Sequence, residues 1–144
     1  MSKNNQKTQL ENLFHNQKSP DIVSPTFQNG NDDNDNITVS FQYLQRDYGI
    51  ENKSFTKDYK AQLLKKIAHI TKSTWNELIL NNKKSGFEIV KKSIINNLPP
   101  IITNDVDKLY ILRFASQKCR TIGFRQNTVF QILYIDPSLS LYKH

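Results

Sequence analysis

The chain has 144 residues, of which 23% are charged, and its formal net charge is +7. This length fits one domain with short extensions and excludes two separate hydrophobic cores. Residues 1–36 contain three Lys and five acidic residues, so the rest of the chain contains 17 basic and eight acidic ones. Such a basic domain fits a polyanionic partner, RNA, DNA or an acidic protein, and it also fits a surface kept charged for solubility.

Cysteine, histidine and glycine usage argues against several classes of protein. The single cysteine, Cys119, lies in a predicted strand, so we expect a buried apolar residue in a reducing compartment. No stretch approaches the length of a membrane span, and the N-terminus lacks the apolar core of a signal peptide. We therefore predict a cytoplasmic protein with no membrane partner. The three histidines have no metal-ligand spacing and the four glycines form no phosphate-binding loop, so we predict neither metal nor cofactor.

The N-terminal part of the chain divides into a tail, a strand and a helix. Met1–Asn36 is rich in Asn, Gln, Ser and Asp without a hydrophobic period, which predicts a disordered tail before one domain at 37–144. Thr38–Leu44 alternates apolar and polar residues and predicts a half-buried strand. Ser54–Lys72 has apolar residues every three to four positions, which predicts an amphipathic helix. The outer face of this helix carries Lys57, Lys60, Lys65 and Lys66. This face is either only solvated or part of a surface that contacts phosphates.

The middle of the chain predicts a second helix and an extended connection. Thr74 and Glu77 have capping-box spacing, which predicts a short helix to Leu80, with Trp75 packed at the joint between the helices. A basic loop follows, containing Lys83 and Lys84. The pattern of residues 87–95 fits a helix or a strand, and we favour extended structure because β-branched residues are frequent. Asp105 and Asp107 lie at the junction between a loop and the next predicted strand. Aspartates at such a junction serve more often as turn formers than as a pair of metal ligands in a nuclease.

The C-terminal part has the strongest β pattern in the chain. Lys108–Ala115 is apolar on both faces and predicts a central strand. Cys119–Arg125 and Val129–Asp136 predict two more strands, joined by a tight turn at Gln126-Asn127. The fold class is therefore α+β: an N-terminal strand, two helices and a three-stranded antiparallel meander.

This meander carries candidate residues for metal-free chemistry on RNA. Cleavage through the ribose 2′-hydroxyl needs a base, an acid and cations around the phosphate. Arg113 and Arg120 on the sheet could supply the cations, and Tyr142 or His144 the proton transfer. Arg125, on the same sheet, is a further RNA-binding candidate. A structural alternative stays open, in which the strand arginines pair with Asp136, Glu88 or a backbone carbonyl and the C-terminus is a frayed tail.

The element order from 37 to 144 resembles the RelE/ParE superfamily of bacterial toxins. The resemblance rests on Leu-Arg-Phe (112–114), Arg-Thr-Ile-Gly-Phe (120–124), Phe-Gln-Ile-Leu-Tyr-Ile-Asp-Pro (130–137) and Leu-Tyr-Lys-His (141–144). It implies a small basic toxin that cleaves mRNA, often on the ribosome, and is neutralised by an acidic antitoxin. Arg113 and Arg120 would then hold the scissile phosphate, and Tyr142 and His144 would stack on a base or transfer protons. The connector at 81–106 has no counterpart in that family.

Two hypotheses from different classes follow. The first is a toxin-like, metal-independent endoribonuclease that acts on mRNA, possibly with the ribosome as partner. The second is a non-catalytic binding module of phage or mobile-element origin, which grips a nucleic-acid enzyme or an acidic protein through the lysine-rich helix face. A gyrase-directed toxin is a third alternative, because some members of the RelE/ParE superfamily act on gyrase and not on RNA.

Overall fold

A computed structural model describes residues 31–142 as an α+β fold. The strands are β1 (Thr38–Ser40), β2 (Phe87–Lys91), β3 (Lys108–Phe114), β4 (Cys119–Gln126) and β5 (Val129–Asp136); the α-helices are α1 (Lys57–Ile70), α2 (Trp75–Leu80) and α3 (Asn82–Ser85). Short 3₁₀ helices occupy Asn31–Asn34, Arg46–Tyr48 and Lys92–Ile94. The predicted tail up to residue 30 lies outside the described residues, as does His144.

One five-stranded sheet, in the order β1-β5-β4-β3-β2, organises this part of the chain. Strands β2 to β5 pair antiparallel with their neighbours, whereas β1 pairs parallel with β5. The α+β class and the central position of β3 are confirmed. The sheet differs in detail from the prediction, because β2 extends the three-stranded meander and β1 ends at Ser40 where the sequence predicted a strand to Leu44.

Side-chain caps begin the two longer helices, and the sequence predicts the one at Thr74. The Thr56 hydroxyl accepts a hydrogen bond from the Tyr59 amide at 3.2 Å and starts α1. Thr74 and Glu77 form the predicted capping box of α2. The loop predicted at residues 83–86 instead contains the single turn α3, which ends at Gly86 with φ 71°. This left-handed conformation favours glycine and turns the chain into β2.

The sheet is covered on both faces. On one face, Leu63 and Ile70 of α1 and Leu78 of α2 pack with Phe114 and Phe130 of the sheet. Trp75 is buried on this face, 5.2 Å from the Tyr110 ring centroid, so it packs onto the sheet and not only between the helices.

Among the described residues, no α-helix covers the opposite face. Its sheet residues include Ile111, Ile122 and Phe124, and the connector between β2 and β3 covers them with side chains such as Ile95 and Val106. This connector belongs to residues 81–106, the stretch that has no counterpart in the RelE/ParE superfamily. Cys119 is confirmed as a free, buried cysteine, and its burial raises the pKa of the thiol.

Residues 33–36, which the sequence assigns to the tail, contact the folded domain. The Asn76 amide donates to the Asn34 side chain at 2.9 Å, and Asn36 bridges to Thr74. Asp33 forms an ion pair with Arg125. Within residues 31–142, no helix is long and apolar enough to cross a membrane.

Candidate functional site

An open cleft of about 450 Å³ lies between α1, the end of α3 and the turn that joins β3 to β4. Its lining residues are Gln62, Lys65, Lys66, His69, Lys84, Gly86, Arg113, Phe114, Ala115, Ser116 and Gln117. Five of them carry a basic side chain or an imidazole, and none is Asp or Glu. Cations that share one concave surface reinforce each other's field, so this cleft attracts an anion.

One wall of the cleft is a single face of α1. Gln62, Lys65, Lys66 and His69 follow one another at helical spacings of three, one and three residues, which brings all four side chains to the same side. Lys65 and His69 are exposed, whereas Lys66 is partly buried. Burial lowers the pKa of Lys66, because removal from water disfavours the charged ammonium.

The opposite wall is the β3–β4 turn, whose backbone is unusual. Ala115, Ser116 and Gln117 have φ values of 52°, 53° and 67°. Three successive non-glycine residues in the left-handed region carry a conformational cost that the surrounding structure must offset. The turn holds the polar side chains of Ser116 and Gln117 at the rim of the cleft, where both are exposed.

Two neighbouring depressions share lining residues with the cleft. One, of about 340 Å³, shares Gly86, Arg113 and Gln117 with it and is also lined by Glu88. The other, of about 390 Å³, shares His69 and Lys84 and is also lined by Glu77. Carboxylates therefore lie beside the cleft but not in its own lining. This charge pattern fits a short anionic segment within a longer ligand.

Arg113 lies where the cleft meets the depression beside β2. Its guanidinium Nη2 is 3.7 Å from the Glu88 carboxylate, and its side chain is 16% exposed. This ion pair is one that the structural alternative named. Arg113 lies directly opposite Arg120 of β4 and shares its face of the sheet, which is the face opposite α1, so its guanidinium lies at the border of the cleft and not among the α1 lysines.

Arg120 is fully buried and lies away from the cleft lining. Its Nε and Nη2 are each 2.9 Å from Asp136 Oδ2, and Nη2 also donates to the Tyr142 carbonyl at 3.1 Å. The guanidinium carbon stacks 3.6 Å from the centre of the Tyr142 ring. In this conformation Arg120 cannot reach a phosphate. Its pairing with Asp136 is the structural role that the sequence indicates as the alternative to phosphate binding.

Asp136 and Tyr142 complete this cluster. The Asp136 carboxylate also accepts hydrogen bonds from the backbone amides of Ser140 and Leu141 at 3.0 and 3.1 Å. Burial raises the pKa of the Tyr142 phenol, and the Arg120 guanidinium opposes that shift. Tyr142 is therefore neutral at physiological pH and anchors the C-terminal segment against the sheet.

The remaining predicted residues divide into three groups. Lys84 joins Lys65 and Lys66 in the cleft. Lys57 and Lys60 are exposed on α1 outside the lining, and the Lys60 ammonium lies 5.7 Å from the centre of the Phe55 ring. The side chains of Lys83 and His144 lie outside the described residues.

Arg125, predicted to bind RNA, is buried beside Trp75. Its guanidinium lies 4.9 Å from the centre of the Trp75 ring, pairs with Asp33, and donates to the Asn127 carbonyl at 2.9 Å. Arg125 thus holds Asp33 against the sheet through their ion pair, and it does not line the cleft.

His69 is the cleft residue that the sequence interpretation did not select. The available signal was its position three residues after Lys66 and four after Lys65, on the predicted outer face of the helix. An imidazole among lysines adds a group that can accept or donate a proton. The cleft can therefore hold a phosphate and has the side-chain types needed for proton transfer beside it.

Comparison with known protein families, with curated proteins and with solved structures finds no match to this chain. Among the described residues, no three His, Cys, Asp or Glu side chains come together as metal ligands.

Proposed function

We propose that this protein binds RNA in the cleft and cleaves it there, as a toxin-like, metal-independent endoribonuclease that acts on mRNA in the cytoplasm. The observation that supports the proposal is a lining that contains His69 and four basic residues and no carboxylate. These basic residues are Lys65, Lys66, Lys84 and Arg113. RNA supplies both the phosphate that such a cleft attracts and a 2′-hydroxyl that can attack it.

The proposed reaction uses groups of the chain alone. His69 accepts the proton of the 2′-hydroxyl as that oxygen forms a bond to phosphorus, and the bond from phosphorus to the 5′-oxygen breaks. Lys65 and Lys84 stabilise the negative charge on the phosphorane oxygens. Lys66 donates a proton to the leaving 5′-oxygen, a role that its lowered pKa favours. The products are a 2′,3′-cyclic phosphate and a 5′-hydroxyl end.

The proposal revises the set of residues that the sequence predicts for catalysis. Lys84 takes the phosphate role predicted for Arg113, because Arg113 borders the cleft while its guanidinium lies beside Glu88 on the face of the sheet opposite α1. Arg120 and Tyr142 have no direct role, because both are buried in the cluster around Asp136. Their contribution is to hold the C-terminal segment in place.

The test is the His69→Gln variant of the full chain, incubated with end-labelled mRNA, alone and with translating ribosomes. We expect the cleavage rate to fall by about 10²- to 10⁴-fold, the usual contribution of a general base. We expect the affinity for RNA to change less than about twofold, because the lysines supply most of the phosphate attraction. His15→Gln is the matched control, and it should cleave as the unmodified chain does.

Three results would contradict parts of this proposal. An absence of RNA binding by the unmodified chain would exclude the cleft as an RNA site. Binding without cleavage in both assays would instead favour the non-catalytic binding module. Cleavage of free RNA that stops in EDTA would exclude the metal-independent reaction.

A further inference from the structure

The outer edge of the sheet at β2 has features of a docking site. Among the described strands, β2 has a neighbour only in β3. The Arg113 amide donates to the Gly86 carbonyl at 2.8 Å, and the Lys92 amide donates to the Asp107 carbonyl at 3.1 Å. Because hydrogen-bonded and outward-facing residues alternate along an antiparallel strand, the backbone groups of residues 87, 89 and 91 face the outer edge.

This edge is bordered by exposed apolar side chains. Ile89 on β2 and Ile79 on α2 are each 40% exposed, and Leu80 is 81% exposed. A depression of about 250 Å³ lies between α2 and β2, lined by Ile79, Asn82, Phe87, Glu88 and Ile89. A strand added to β2 could place a side chain in this depression while its backbone pairs with the edge.

The charges along the edge favour an acidic ligand. Lys91 at the end of β2 lies directly opposite Lys108 of β3, and both are exposed. Like charges in directly opposite positions destabilise a sheet, and a carboxylate placed between them would relieve the repulsion. At the other end of β2, Glu88 pairs with Arg113, and Lys84 lines the neighbouring cleft.

We propose that the β2 edge binds an extended, acidic segment of a partner protein as an additional strand. The segment contributes a main-chain ladder to residues 87, 89 and 91, an apolar side chain to the depression beside Ile79, and carboxylates to Lys91 and Lys108. This surface is distinct from the centre of the cleft, so it serves a protein partner independently of RNA cleavage.

The proposal is tested with a fluorescent peptide, acetyl-Glu-Ile-Glu-Ile-Glu-Ile-Glu-amide, titrated with the full chain. Two matched peptides replace every Glu by Lys, or the central Ile by Pro. We expect saturable binding of the acidic peptide only. Ile89→Asp should weaken it at least about tenfold because apolar burial is removed, and Lys91→Glu about fivefold because a cross-strand charge pair is removed. Ile50→Asp, at an isoleucine that is 48% exposed in a loop, should bind normally.

Amide hydrogen exchange of the unmodified chain gives a second measurement that does not depend on a variant's folding. The Ile89 amide should exchange freely without the peptide and become protected with it. Protection of Ile89 without the peptide would mean that the edge is already occupied from within the chain, which overturns the proposal. Peptide binding that survives Ile89→Asp and is abolished by Lys65→Ser would place the peptide in the cleft, and that result also overturns it.

Discussion

The cleft and the Arg120 cluster use the same kind of charge in opposite ways. Arg113 and Arg120 are directly opposite on neighbouring strands, yet Arg113 lines the open cleft while Arg120 is fully buried against Asp136. A buried guanidinium loses its hydration, and only a close carboxylate with further hydrogen bonds offsets that cost. The cleft cations stay near water and keep their attraction for a mobile anion. Stability and binding should therefore depend on separate residues, which variants can distinguish.

The largest expected effect is on stability, from the matched pair Arg120→Gln and Arg113→Gln. Arg120→Gln leaves the Asp136 carboxylate buried without its cation, and we expect the free energy of unfolding to fall by about 3–5 kcal/mol. Arg113→Gln removes an ion pair with Glu88, whose side chain is 42% exposed, and should cost clearly less than Arg120→Gln. Urea denaturation of both variants measures the difference. Equal decreases would mean that burial does not separate the two arginines.

The second prediction concerns affinity and uses lysines inside and outside the cleft. The triple variant Lys65→Ser, Lys66→Ser, Lys84→Ser removes up to three cations that neutralise RNA phosphates. We expect the slope of log affinity for single-stranded RNA against log salt to become shallower by about 0.7 for each phosphate that is no longer neutralised. We also expect binding at low salt to weaken by about tenfold or more.

The double variant Lys57→Ser, Lys60→Ser is the control, since both lysines are exposed on the same helix but outside the cleft lining. It should keep most of the affinity and the salt slope. Comparable weakening in the two variants would indicate that RNA binds the whole lysine-rich face of α1 and that the cleft is not a distinct site.

Much of the fold could be predicted because local signals and tertiary packing agree. The strand predicted at Val129–Asp136 is β5 with the observed bounds, and the spacing of Thr74 and Glu77 gives the start of α2. The strand β2 was ambiguous because its periodicity fits two structures, and pairing with β3 decides between them. The parallel pairing of β1 with β5 joins residues about 90 positions apart, and no short-range pattern encodes it.

The candidate site was predicted in part. Helical spacing brings Lys65 and Lys66 together, and the structure adds Arg113 and Lys84 from elements distant in sequence. The sequence could not assign Arg120 to one role, because a strand arginine with a buried ion pair and one that faces a ligand follow the same pattern. What separates them is the pairing of Arg120 with Asp136, 16 residues away, across β4 and β5.

The smallest expected effect concerns the pH dependence of Lys66, compared in the unmodified chain and in Lys66→Arg. The folded-state pKa of Lys66 lies below its ordinary value of 10.5, so the ammonium loses its proton as the pH rises through that lowered value. Since only the protonated amine attracts phosphate, RNA affinity should fall by a few-fold in the window below pH 10.5, whereas the arginine stays charged and Lys66→Arg should hold its affinity.

The same shift has the opposite sign for stability. Between the lowered pKa and 10.5 the unfolded chain binds more protons than the folded chain, so this residue makes the free energy of unfolding rise with pH. Titrations of RNA affinity and of urea stability over this range should therefore diverge in the unmodified chain and not in Lys66→Arg. Parallel curves for the two proteins would mean that Lys66 is as hydrated as the exposed lysines of α1, and the cleft would lose its proposed proton donor.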